Sequence, residues 1–140
     1  MRQFFPTLNN MQAKSYATLK RKLDAIFSEY VRKSSADQFG NARCVSCGAV
    51  KPWRALQAGH FVSRVRLATR WDLMNTHPQC SKCNVLLRGN AAGYSLYLVK
   101  KYGPWVLDDL DARSRKPVKF TRADLNALIE VYKANFKNLP

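Results

Sequence analysis

Carboxylates are scarce in this 140-residue chain: 9 Asp and Glu stand against 24 Lys and Arg, leaving a formal charge of +15. That imbalance points away from small acidic metabolites as the sole partner and toward a polyanion, either nucleic acid or an anionic membrane surface. Long apolar runs are missing as well. No stretch approaches the ~18 apolar residues of a membrane span, and the opening MRQFFPTLNN lacks the apolar core of a secretion signal, so a soluble, cytoplasmic protein is expected. Internal repeats are absent. What remains is ordinary globular composition, 46% hydrophobic and 11% aromatic, in a chain long enough to bury roughly two-thirds of its unfolded surface. Disorder is excluded on that ground, and one domain over residues 1–140 is expected.

The shortage of carboxylates is concentrated in the middle. Residues 1–37 carry +4, residues 38–107 carry +9 and residues 108–140 carry +2; between Asp37 and Asp108 the single carboxylate is Asp72. From Gln12 to Lys33 the residues Tyr16, Leu19, Leu23, Ile26, Phe27, Tyr30 and Val31 recur at three-and-four spacing, which predicts an amphipathic helix over 12–33. Ser34 to Ala49 is rich in Ser, Gly and Asn and predicts a loop or knuckle. Leu56 to Val62 and Asn75 to Gln79 predict the two strands of a hairpin, joined by a long basic connection, Ser63 to Leu73. Ser81 to Arg88 predicts a helix closed by Gly89-Asn90. Tyr94, Leu98, Val99 and Tyr102 predict another, ending at Gly103-Pro104. Thr121-x-x-Asp124 opens a last helix with Leu125, Leu128, Ile129, Tyr132 and Phe136 inward. Trp53, Trp71 and Trp105 are not placed by any pattern.

The four cysteines form two pairs, Cys44-x-x-Cys47 and Cys80-x-x-Cys83. Tetrahedral zinc takes four thiolates at about 2.3 Å, and each Cys-x-x-Cys turn delivers two sulfurs from one tight loop. Disulfides are disfavoured in a reducing compartment, and a redox dithiol needs only one pair. A closed four-thiolate shell is structural. The same segment holds the only two histidines, His60 and His77, and Asn84 directly follows the last cysteine. With Cys83 aimed at zinc from the first turn of a helix, Asn84 is rotated about 100° away, toward the hairpin that carries His60.

Over Cys44 to Asn90, through CVSCG, QAGHF, NTHPQCSKCN and RGN, the sequence resembles the zinc-braced HNH, or ββα-metal, nucleases. Within that superfamily AGHFVSR, TRWDLMNTHPQC, CNVLLRGN and LVKKYG resemble the phage NinG (Rap) recombination proteins over nearly the full chain. Phage endonuclease VII resembles it more distantly. The resemblance implies an α+β fold: a small zinc-braced ββα core over 44–90, flanked by an N-terminal helix and by C-terminal helices over 91–140. It also implies a phage or prophage nuclease acting on branched recombination intermediates such as Holliday junctions and D-loops. By it His60 is the general base, Asn75 the residue that ties the loop together, and Asn84 a ligand of a catalytic divalent metal, magnesium, manganese or another transition metal. Two positions depart from the pattern: Gly59 stands before the base, where such nucleases usually carry Asp or His, and Arg88 stands four after Asn84. His77 is therefore expected to complete the metal site, with Asp72 as the fallback.

Neutral His60 would take a proton from the attacking water, a role worth roughly 10²–10⁴-fold, and the metal would offset charge on the phosphate. Arg64, Arg66, Arg70, Lys82 and Arg88 are the candidate phosphate contacts. Twofold-symmetric substrates would favour a homodimer. The rival expectation is a zinc-dependent DNA-binding recombination accessory protein without cleavage. An RNA-binding zinc knuckle rests on charge alone.

Overall fold

The computed structural model describes residues 14–140. The opening decapeptide and the first residues of the expected 12–33 helix lie outside the described part. Helix α1 runs over Tyr16–Ser34, started by Ser15, whose hydroxyl accepts the Thr18 amide. Leu19, Leu23, Phe27 and Val31 repeat every fourth residue and are buried. They pack on Leu125, Ile129 and Tyr132 of α5 (Arg122–Lys137), with Trp71 in the same cluster. Phe27 meets Tyr132 edge-on at 5.0 Å between ring centroids, a geometry favoured by the ring quadrupoles. The expected start of α5 is present as a reciprocal cap: Thr121 accepts the Asp124 amide while Asp124 accepts the Thr121 amide.

Two antiparallel hairpins lie between these helices in sequence. Strand β1 (Asn41–Arg43) pairs with β2 (Val50–Pro52), where the sequence predicts only a knuckle. Strand β3 (Gln57–His60) pairs with β4 (Thr76–Gln79) in the register Gln57–Gln79, Ala58–Pro78, Gly59–His77 and His60–Thr76. The long connection between them contains a single helical turn, α2 (Leu67–Arg70). Because side chains alternate along a strand, His60 and His77 leave opposite faces of this hairpin. Ala58 packs toward the α1–α5 cluster, whereas His77 faces Tyr94 and Tyr97 of α3 (Ala91–Tyr102).

The segment expected as an ordinary helix over 81–88 is a five-residue π-type turn, Lys82–Leu86, with the Leu87 amide donating to the Lys82 carbonyl at 2.8 Å. It ends in consecutive left-handed residues, Arg88, Gly89 and Asn90. A further helix, α4 (Trp105–Ser114), packs Val106 and Leu110 against Tyr94 and Leu98. Its apolar positions are too few to stand out by periodicity. Of the three tryptophans, Trp53 and Trp71 are buried and Trp105 is exposed.

Candidate active site

The β1–β2 hairpin exists to present the first cysteine pair. Gly48, at φ +81°, closes the knuckle after Cys47 in a conformation that a side chain disfavours. Its amide donates to the Cys44 carbonyl. Cys80 and Cys83 arrive from the end of β4 and the π-type turn, and all four sulfurs lie within 4.8 Å of one another. Cys47 Sγ and Cys80 Sγ are 3.7 Å apart, which is close to the edge of a tetrahedron with 2.3 Å zinc–sulfur bonds and far from a disulfide. The Cys83 amide and the Asn90 side chain donate to the sulfurs of Cys80 and Cys83, each at 3.5 Å. The four cysteines can therefore hold zinc, with N–H donors already aimed at two of the thiolates.

His60 sits at the end of β3 with Nε2 2.7 Å from the Arg70 carbonyl oxygen. A carbonyl only accepts, so Nε2 carries the hydrogen and Nδ1 keeps its lone pair. Burial holds this imidazole below its ordinary pKa, against the raising effect of the carbonyl and of Asp24. It is thus a neutral base at pH 7. The carbonyl is itself held in place, because Arg70 donates to Asp24 at 3.0 and 2.6 Å and to the Arg64 carbonyl at 3.0 Å. Trp71 Nε1 donates to the same carboxylate at 2.9 Å. Asn75, fully buried, anchors the loop from below: its side chain accepts the Val62 amide and donates to the Val62 and Thr69 carbonyls.

Asn84 and His60 line one open cleft of about 890 Å³ together with Gln57, Arg32, Arg64 and Arg88. Asn84 donates Nδ2 to Gln57 Oε1 at 2.7 Å, and its Oδ1 makes no hydrogen bond among the described residues. The cleft therefore brings together a neutral imidazole, a side-chain amide and three arginines, of which Arg32 also donates to Ser28 and to the Leu56 carbonyl. Gln57 and Arg32 line the cleft without being singled out by the sequence. Gln57 is on the same strand as His60 and Arg32 is on the polar side of α1, and neither position gave a signal.

Other expected site residues are placed elsewhere. His77 lies on the face of the hairpin away from the cleft: the Tyr94 hydroxyl donates to the Gly59 carbonyl at 2.7 Å and so receives His77 Nδ1–H at 3.0 Å, while Tyr102 reaches Nε2 at 3.2 Å. Both ring nitrogens are consumed on the far face of the hairpin. Asp72 is ion-paired with Arg113 and caps the Met74 amide, so the fallback ligand is also committed. Arg70 spends its guanidinium on Asp24 rather than on phosphate. Arg66 and Lys82 are exposed but outside the cleft. Gly59 has a packing reason to be glycine, since a Cβ there would overlap the side-chain amide of Gln79. That amide donates to Ser46 Oγ and to the Gly89 carbonyl at 2.7 and 2.8 Å, tying the knuckle to the turn.

The His77 cage predicts a pH effect on stability. Burial, aided by the Lys101 charge, pushes this imidazole down to about 3. Below pH 6.5 the unfolded chain binds a proton that the folded chain refuses, so stability present above that pH is lost as pH falls. The loss is about 1.2 kcal/mol between pH 6 and 5. Urea titrations of the zinc-loaded protein should show this slope in the wild type and a shallower one in His77→Gln; equal slopes would refute it.

A divalent cation needs more than the cleft supplies. Magnesium prefers carboxylate oxygen in octahedral array, but the cleft's one carboxylate, Asp24, is taken by Arg70 and Trp71. Asn84 Oδ1 and His60 Nδ1 remain, facing three guanidinium groups. These donors do not make a cation site on their own.

The sequence profile of the family described as Bacteriophage Lambda NinG protein matches residues 7–140. The chain is similar to Protein ninG of Salmonella phage P22, at 28% identity over 99 residues. It is similar also to Protein ninG of Escherichia phage 933W at 27% and of Escherichia phage lambda at 26%, over the same length. Each alignment covers 69% of this chain and 47% of the relative, so the chain spans about half the length of the curated relatives it matches. No solved structure matches it.

Proposed function

This chain belongs to the NinG family of phage proteins, and on that premise we propose that its basic cleft binds DNA and hydrolyses a phosphodiester bond with His60 as general base. One observation carries the reading: an imidazole locked by its Nε2–H onto the Arg70 carbonyl, with Nδ1 free, in a cleft lined by Arg32, Arg64 and Arg88. His60 Nδ1 takes a proton from water as the water oxygen bonds to phosphorus. The Arg70 carbonyl steadies the imidazolium so formed. The guanidinium groups offset the charge gathering on the phosphate oxygens, and the departing sugar oxygen leaves to solvent and is protonated there. Asn84, oriented by Gln57, offers its oxygen at the edge of the same cleft. Branched recombination intermediates are the proposed substrate, on the likeness to phage recombination nucleases.

The want of a free carboxylate in the cleft favours a second reading, a zinc-braced accessory protein that binds DNA without cutting. Incubating branched and linear duplexes with the protein, with and without magnesium or manganese, separates the two. Strand scission of the branched substrate is expected; tight binding with no scission under any metal leaves the accessory role. In either case affinity should be set by charge, falling roughly 10³–10⁵-fold between 50 and 200 mM salt if six to ten phosphates are contacted. A flat salt response would remove DNA as the partner.

A further inference from the structure

Val85, Leu86 and Leu87 are exposed by 60%, 77% and 49%, and no other three consecutive aliphatic residues are exposed among those described. Exposure of this kind is unfavourable, since each such side chain gains by leaving water. The run lies between Asn84 and Arg88, both of which line the cleft, as does Val85 itself. It is also held rigidly. The Leu87 amide donates to the Lys82 carbonyl and the Gly89 amide to the Cys83 carbonyl, each at 2.8 Å. Arg88 and Asn90 adopt φ of 49° and 40°, strained values for residues with side chains. Gln79 fixes the Gly89 carbonyl from below, and Asn90 reaches Cys83 Sγ.

An apolar tip set directly beside guanidinium groups matches a partner whose apolar surface adjoins phosphates. The faces of nucleic-acid bases are such a surface, and aliphatic side chains inserted at a base step unstack it at a cost that is least where stacking is already broken. We propose that Val85, Leu86 and Leu87 form a wedge that enters an opened base step of DNA seated in the cleft. The proposal deepens the DNA-binding reading above and rests on it. It also gives a physical source for a preference for branch points, where a step is already open.

The test places 2-aminopurine, whose fluorescence rises on unstacking, at the branch of a four-way junction. The full chain is used with His60→Ala so that strands stay uncut. A several-fold rise is expected on binding, and most of it should disappear with Val85→Ser/Leu86→Ser/Leu87→Ser, although low-salt affinity is kept by the arginines. Leu86→Ser alone, at the most exposed position, should give a partial loss and guards against misfolding of the triple variant. Fluorescence that is unchanged by these substitutions, or that never rises on binding, overturns the wedge alone. Failure of the chain to bind the junction at low salt overturns the DNA reading itself. Sedimentation without DNA is the third arm: a dimer that the serine variants turn into a monomer would assign the run to a second copy of this chain.

Discussion

Replacing His60 with alanine should lower strand cleavage by roughly 10²–10⁴-fold, the usual worth of a positioned general base, while DNA affinity stays within a few-fold of wild type. The separation follows from the geometry. The imidazole offers the cleft a single lone pair at Nδ1, whereas the positive charge that lines it belongs to Arg32, Arg64 and Arg88. The pH profile gives an independent reading of the same role. Burial keeps the His60 pKa below its ordinary 6.5, so cleavage by the wild type should rise with pH below that value and be level by pH 7. Residual cleavage by His60→Ala should lack that limb. Gel assays of both proteins across pH 5 to 8 decide the matter; a variant that cuts at the wild-type rate removes His60 from the chemistry.

Loss of zinc should have the larger structural effect. Apparent binding free energies for structural zinc are about 10–16 kcal/mol in small zinc modules, comparable with the whole stability of a typical domain, about 5–15 kcal/mol. The cysteines join β1–β2, the end of β4 and the π-type turn. Chelation, or Cys83→Ser, should therefore release residues 41–57 and 78–90, the segments that the cysteines join. Cys83 directly precedes Asn84, and its carbonyl holds the Gly89 amide, so the cleft opens with the knot. Hydrogen exchange should show lost protection across those two segments, with amides of α1 and α5 retained by their apolar contact with each other and with Trp71. A metal-free protein with unchanged protection and melting temperature would refute the role. The free chain is also expected to release one zinc per molecule on treatment with a thiol-reactive mercurial.

Helices α1, α3 and α5 were legible because their apolar residues recur at helical spacing, and α3 and α5 also because Gly103-Pro104 and the Thr121–Asp124 pair mark an end; the Ser15 cap that starts α1 three residues after the expected Gln12 was not read. The knot was legible because paired cysteines leave little choice of chemistry. His60, Asn75 and Asn84 are candidates through the family resemblance, which says nothing of their surroundings. Tyr94 and Tyr102 capture His77 through contacts 17 and 25 residues away in sequence. Arg113 takes Asp72 across 41 residues. Local pattern carries no trace of such pairings, so both side chains were free on paper to ligate metal. The π-type turn escaped for a different reason: its sequence is compatible with a helix, and the three left-handed residues after it are set by hydrogen bonds from Gln79 and Asn90.

The Asp24–Arg70 pair closes a loop of 46 residues between α1 and the turn that carries the carbonyl under His60. The zinc cluster does not supply this contact, since none of its four cysteines touches Asp24 or Arg70. A transplanted version of the 44–90 core that left α1 behind would keep its cysteines but lose the carboxylate that holds the turn under His60, so the first helix is a segment that any such transplant must carry with it.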